Sequence, residues 1–216
     1  MKKGLFGLVD YDMGNLRSVA KALEVVGARV APVTGPRGFA GLDALVLPGV
    51  GAFGAAVRNL RRRRLMGPIR DWILSGKPFL GICLGYQLLF QKGEESRSAE
   101  RGLGIFSGKV RKFPARRKLK IPHMGWNQVR FAASRKSAGG IFSGIPQDSF
   151  FYFVHSYYPE PRDGSLAASV TRYGVDFVSS VRKDRLFACQ FHPEKSGKDG
   201  LRILSNFAGI ALSRPC

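Results

Sequence analysis

Short apolar runs alternate with helical patterns through the N-terminal part of the chain, and this alternation restricts the possible folds more than any other feature. Leu5–Val9, residues 28–33, Ala44–Leu47 and residues 78–82 have the length and content of buried strands. Leu16, Val19, Leu23 and Val26 form one stripe at helical spacing that closes at Gly27. Residues 55–64, a basic stretch, and 69–74 also read as helices. Strands joined through helices of this length imply an α/β fold, with a parallel sheet covered on both faces.

Beyond residue 91 the texture changes. Residues 92–101 read as a polar loop, and 103–113 and 126–131 as shorter strands of a smaller antiparallel insertion. Between those strands, 121–127 reads as irregular. Residues 150–154 form a strongly apolar strand, 167–171 and 177–181 alternate like a hairpin, and 186–191 returns to the core. Residues 199–212 read as a closing helix, with Leu201, Leu204 and Ala208 on one face and Ile203, Phe207 and Ile210 beside it. The expectation is one domain over residues 1–216, with no internal repeat. At 44% hydrophobic content it is large enough to bury a core without disulfides or metals.

Chemistry concentrates where the strand at 78–82 meets a helix start at 84–91. Cys83 lies at that turn, with Gly81 and Gly85 two residues away on either side. A sharp strand-to-helix turn strains its central residue, and small neighbours let the chain pass close to itself. The cysteine side chain would project above the sheet edge, at the positive end of the helix dipole, where a thiolate is stabilised. A buried cysteine acting as a small hydrophobe is the plainer reading. The flanking glycines and the turn favour a nucleophile.

A nucleophile of this kind needs a base. Residues 187–191 read as a buried strand running into His192, which Pro193 keeps extended. Glu194 can hold the ring by a hydrogen bond, fixing its tautomer and favouring the imidazolium. Taken alone, His-Pro-Glu reads as a surface loop. Beside an elbow cysteine at another strand end, it completes a nucleophile–base–orienter set. The third strand ends in Pro48-Gly49-Val50-Gly51-Ala52-Phe53-Gly54, whose backbone N–H groups could hold the oxyanion of a tetrahedral intermediate. A plain tight turn is an equal alternative there. A Walker-type phosphate loop is excluded, because no Gly-Lys-Ser/Thr follows.

Charge and cysteine content limit the other classes. The net charge of +20 raises nucleic-acid binding as a candidate, but the cations are spread along the chain. Arg61-Arg62-Arg63-Arg64 is the only dense run, and it reads as a solvated helix end. No nucleic acid is therefore expected as a partner. Cys83, Cys189 and Cys216 contain no Cys-x-x-Cys pair, and an odd number argues against a disulfide framework. His123, His155 and His192 lack zinc-site spacing, so no metal is expected. The first ten residues superficially suggest a signal peptide, but Asp10 breaks the apolar run and a small-residue cleavage site is missing. No stretch is long enough to span a bilayer. A reducing, cytoplasmic location is expected.

Gly81-Ile82-Cys83-Leu84-Gly85-Tyr86-Gln87 and Phe191-His192-Pro193-Glu194 together resemble the signature of the class I glutamine amidotransferases. Pro48-Gly49-Val50-Gly51, Pro122-His123-Met124-Gly125-Trp126-Asn127, Tyr152-Phe153-Val154-His155-Ser156-Tyr157 and His192-Pro193-Glu194-Lys195-Ser196 resemble one histidine-biosynthetic branch of it. The resemblance implies a flavodoxin-like sheet and release of ammonia from glutamine without a cofactor. It makes Cys83 the nucleophile, His192 the base and Glu194 its orienter. It implies an oxyanion hole around Gly49, Val50 and Leu84, and glutamine binding by Gln87 and the backbone of Ser156 and Tyr157. In that branch Asn15, Trp126, Tyr152 and Lys195 match positions facing a cyclase subunit, a separate (β/α)8 barrel in a heterodimer, which receives the ammonia. Asp12 departs from the family pattern, which commonly has a small residue in this first turn. Rival readings are an amidotransferase with another acceptor, such as a surface sugar, a stand-alone γ-glutamyl hydrolase, and a non-enzymatic nucleic-acid binder.

Overall fold

Successive side chains on a strand point to opposite faces, and the central strands use both to bury apolar groups. The computed structural model describes residues 4–95, 100–115, 119–132 and 140–213. In β1 (Leu5–Val9), Phe6 and Leu8 enter one buried cluster and Val9 the other. In β3 (Ala44–Leu47), Ala44 and Val46 face the first cluster, Leu45 and Leu47 the second. The first face is covered by α1 (Leu16–Val25) and α5 (Gly197–Leu212), through Val19, Leu23, Ile203 and Phe207. The second is covered by α2 (Phe53–Arg62) and α3 (Met66–Leu74), through Val57, Leu60, Ile69 and Trp72. This is the expected α/β architecture, with helices on both sides.

The remaining strands of the main sheet are β2 (Arg29–Val33), β4 (Phe79–Ile82), β7 (His123–Phe131), β8 (Ser149–His155), β10 (Ala167–Tyr173), β11 (Val175–Lys183) and β12 (Leu186–Cys189). Their order is β2-β1-β3-β4-β12-β11-β10-β7-β8. From β2 to β12 every pairing is parallel, in the flavodoxin-type order. From β12 to β8 every pairing is antiparallel. The antiparallel strands therefore mostly extend the main sheet instead of forming a separate insertion, because β12 pairs with β4 on one edge and β11 on the other. A second, three-stranded sheet consists of β5 (Phe90–Gly93), β6 (Phe106–Lys112) and β9 (Tyr157–Pro161), in the order β5-β6-β9.

Several boundaries differ from the sequence reading. The helix after Cys83, α4, covers only Leu84–Gln87, and the chain then turns into β5 to pair with β6. The segment expected to be irregular begins β7 at His123, paired with β8 from His123–His155 to Val129–Ser149. Residues 96–99 of the polar loop, and Cys216, lie outside the described residues. The basic run closes α2. Arg62 reaches Asp12 at 2.7 Å and Arg63 also pairs with it, so this part of the charge is anchored. Asp12 itself has a φ of 66°.

Candidate active site

The loops after β1, β3, β4 and β12 all leave the carboxyl ends of parallel strands, the rim where open α/β sheets bind ligands. Cys83 is the residue between β4 and α4, with φ 53° and ψ −103°. A non-glycine residue in that conformation is strained and needs tight surroundings to hold it. They are tight: a Cβ on Gly85 would lie 1.8 Å from the Leu47 carbonyl oxygen, and one on Gly81 would lie 3.0 Å from Ala188 Cβ. The Cys83 N–H donates to Cys189 O at 2.8 Å, tying the elbow to β12. Because α4 is a single turn, dipole support for the sulfur is smaller than the sequence suggested.

His192 follows β12 and is 2% exposed. Its Nδ1 lies 2.8 Å from Glu194 Oε1, and both side chains are almost fully buried. Its Nε2 is also buried and makes no hydrogen bond of ordinary geometry among the described residues. Burial pushes the imidazole down, but the Cys83 charge and contact, followed by Glu194, outweigh it and raise the group to about 10. The charges of Cys83 and Glu194 thus both favour the protonated ring, and the carboxylate holds its Nδ1 side. This arrangement suits proton exchange between Cys83 and His192. The backbone N–H of His192 donates to Tyr152 O at 2.9 Å, and Ser196 Oγ bridges from His192 O to Tyr152 N–H.

The glycine loop of residues 48–51 lies between Tyr11 and the elbow. Tyr11 Oη donates to Pro48 O at 2.8 Å, and a Cβ on Gly49 would meet that hydroxyl oxygen at 2.1 Å. The Leu84 N–H donates to Gly49 O at 3.3 Å. A loop carbonyl therefore occupies the donor that the sequence reading assigned to an oxyanion. Val50 is 40% exposed beside it.

Val50, Cys83, Leu84, Gln87, Ser156 and Tyr157 line a cavity of about 530 Å³, together with Glu95 and His155. Gln87 Nε2 donates to Tyr157 O at 3.1 Å and to Gln190 Oε1 at 3.2 Å. The Ser156 carbonyl accepts from Phe113 N–H at 3.1 Å. Sequence reasoning missed Glu95, whose Oε2 accepts the Phe53 N–H at 2.6 Å, and the fully buried Gln190. A carboxylate in a polar loop and an amide ending an apolar strand give no local signal of a site.

Away from the sulfur, Trp126 is 55% exposed and meets the Tyr152 ring edge-to-face at 6.2 Å. Lys195 Nζ lies 5.7 Å from the same ring. Met124 and Phe150 are exposed on the same two strands. Asn15 caps α1, accepting from Ser18 N–H at 3.2 Å, and lines a small cleft with Val50, His192 and Lys195. The four positions matched to a partner-facing surface thus fall into two groups that share Lys195.

An elbow cysteine, a carboxylate-held histidine and a glycine loop on a doubly wound sheet define a class of enzyme, and the chain belongs to the class-I glutamine amidotransferase family, whose model matches residues 8–210. Within that class its relatives include the imidazole glycerol phosphate synthase subunit HisH of Thermosynechococcus vestitus, 49% identical over 97% of this chain and 99% of the relative. HisH of Aquifex aeolicus is 51% identical over 93% of this chain and 94% of its own length. Among solved structures, a glutamine amidotransferase superposes with a TM-score of 0.69 at 21% identity, covering 96% of this chain and 99% of that one. The PurLQS structure from Thermotoga maritima also gives a TM-score of 0.69, at 16% identity, with 96% and 99% covered.

Proposed function

We propose that this chain is the glutaminase subunit of imidazole glycerol phosphate synthase, acting as a single amidotransferase domain beside a cyclase subunit. Near-full-length identity of about one half to proteins of that name carries the reading. It favours this branch over an amidotransferase with another acceptor or a stand-alone γ-glutamyl hydrolase.

The Cys83 sulfur attacks the side-chain amide carbon of glutamine, and the carbonyl oxygen becomes an oxyanion. His192 passes the proton it received from Cys83 to the amide nitrogen, the C–N bond breaks, and ammonia leaves a glutamyl thioester. Water, deprotonated by His192, then attacks the thioester to release glutamate and restore the thiol. Glu194 keeps the ring oriented. Gln87 and the N–H groups around Ser156 and Tyr157 hold the substrate, and Glu95 supplies a negative group for its ammonium. The oxyanion takes the N–H groups of Leu84 and Val50, which requires the Gly49 carbonyl to leave Leu84.

The exposed Met124, Trp126 and Phe150, with Tyr152, Lys195 and Asn15, form the docking face for a (β/α)8 cyclase in a heterodimer. Ammonia crosses this face to the nucleotide substrate, which yields imidazole glycerol phosphate and the purine-pathway carboxamide ribonucleotide. The expected location is the cytoplasm; among the described residues no helix is long and apolar enough to cross a membrane. Glutamine hydrolysis by the lone chain is expected to be weak and to rise sharply with cyclase and nucleotide. Cys83→Ala should abolish glutamine-dependent product while ammonium salts still support the cyclase. Substantial hydrolysis by the isolated chain, unchanged by the cyclase, would contradict this reading.

A further inference from the structure

Gln190 takes no part in the chemistry above, yet its Nε2 lies 3.5 Å from Cys83 Sγ. Amide oxygen and nitrogen have similar shapes, so the end that faces the sulfur must be argued from partners. The Tyr157 carbonyl can only accept, so the Gln87 group facing it is the NH2. The Gln190 atom facing that NH2 is then the oxygen, which leaves the Gln190 NH2 for the sulfur.

The same carbonyl is fixed from its other side. His155 Nδ1 lies 2.8 Å from Tyr157 O and must carry a proton to bond it. His155 Nε2 then accepts from His123 Nδ1 at 3.0 Å, and His123 Nε2 accepts from Asn127 Nδ2 at 3.2 Å. Burial lowers His155 to about 3 and His123 to about 4, so both rings are neutral near pH 7. Each has one donor and one acceptor, as this direction requires. The chain runs from Asn127, beside the exposed Trp126, to the carbonyl that orients Gln87.

We propose that Gln190 positions the Cys83 sulfur for attack, its N–H end held toward the sulfur by the Tyr157 carbonyl acting through Gln87. The inference deepens the glutaminase reading and rests on it for what the sulfur attacks. An N–H aimed at sulfur binds a thiolate more strongly than a thiol, and it fixes the direction from which substrate can approach.

The test compares Gln190→Leu and Gln190→Glu with wild type in the full heterodimer. Iodoacetamide alkylation is followed at the Cys83 peptide by mass spectrometry, at one fixed pH. Gln190→Leu removes the donor and should slow alkylation about tenfold. Gln190→Glu keeps the acceptor for Gln87 but sets negative charge beside the sulfur, so it should be slower still. The kcat for glutamine should fall in the same order, by a larger factor than KM changes. A purely structural role would make the nearly isosteric Glu variant the milder of the two. Alkylation of Gln190→Glu at the wild-type rate would overturn the proposal. If Gln190→Leu no longer assembles with the cyclase, Gln190→Glu alone decides. Absence of glutamine hydrolysis by the wild-type complex would instead count against the functional reading, while the alkylation comparison would still decide the partner of the sulfur.

Discussion

Gly85 has no room for a side chain, since a methyl group there would meet the Leu47 carbonyl of the neighbouring strand. Gly85→Ala should cost about 3 kcal/mol, measured by urea unfolding, because backbone and not a flexible side chain must yield. The glycines around Cys83 were legible as punctuation, but their reason was not, because Leu47 and Ala188 arrive from distant parts of the sequence. At His192 the raised protonation depends on the Cys83 charge more than on Glu194. In Cys83→Ala the His192 titration, followed by its ring-proton NMR shift, should therefore move down from about 10. An unchanged midpoint would mean that sulfur and ring do not interact. Cys83, His192 and Glu194 stood out in the sequence through their glycine and proline neighbours. Gln190 and Glu95 have no such neighbours and became visible only through what they touch.

At the scale of elements, the sequence located β1 and β3 to the residue, because their apolar runs are compact and sharply bounded. It overextended α4, where Leu84, Leu88 and Leu89 imitate a helical stripe while pairing with β6 draws Phe90 onward into β5. It missed β9, where Pro159 and Pro161 weaken a strand signal; β9 is an edge strand of the small sheet, where missing amide donors are tolerated. The end of α5 has a non-local fastening that no helix-stop signal announced. Arg185 Nη2 lies 2.9 Å from each of the carbonyl oxygens of Ile210, Ala211 and Ser213. Arg185→Ala should destabilise the protein by about 2 kcal/mol in urea unfolding, because charge-assisted bonds to otherwise orphaned helix carbonyls are lost.

For the molecule as a whole, the parallel half was legible because helix-linked strands admit few arrangements. The antiparallel half was legible only in its hairpin of β10 and β11, because pairings such as β7 with β10 join segments whose local patterns do not specify a neighbour. Burial of His123 and His155 also affects global stability. Unfolded histidines gain protons near pH 6.5, whereas the folded pair resists down to about 4 and 3. The unfolded state therefore binds more protons in that interval, and stability should fall as pH drops below about 6.5. The double variant His123→Gln, His155→Gln should show a shallower fall between about pH 6.5 and 4.5 in urea titrations.

The last strand of the large sheet, β8, has one further consequence. Its Tyr152 commits both backbone groups on the open side, the amide to Ser196 and the carbonyl to His192. An incoming strand would find no ladder to continue there without unseating the histidine. Concentrated protein should accordingly resist edge-to-edge stacking into filaments through the Tyr152 position of this border.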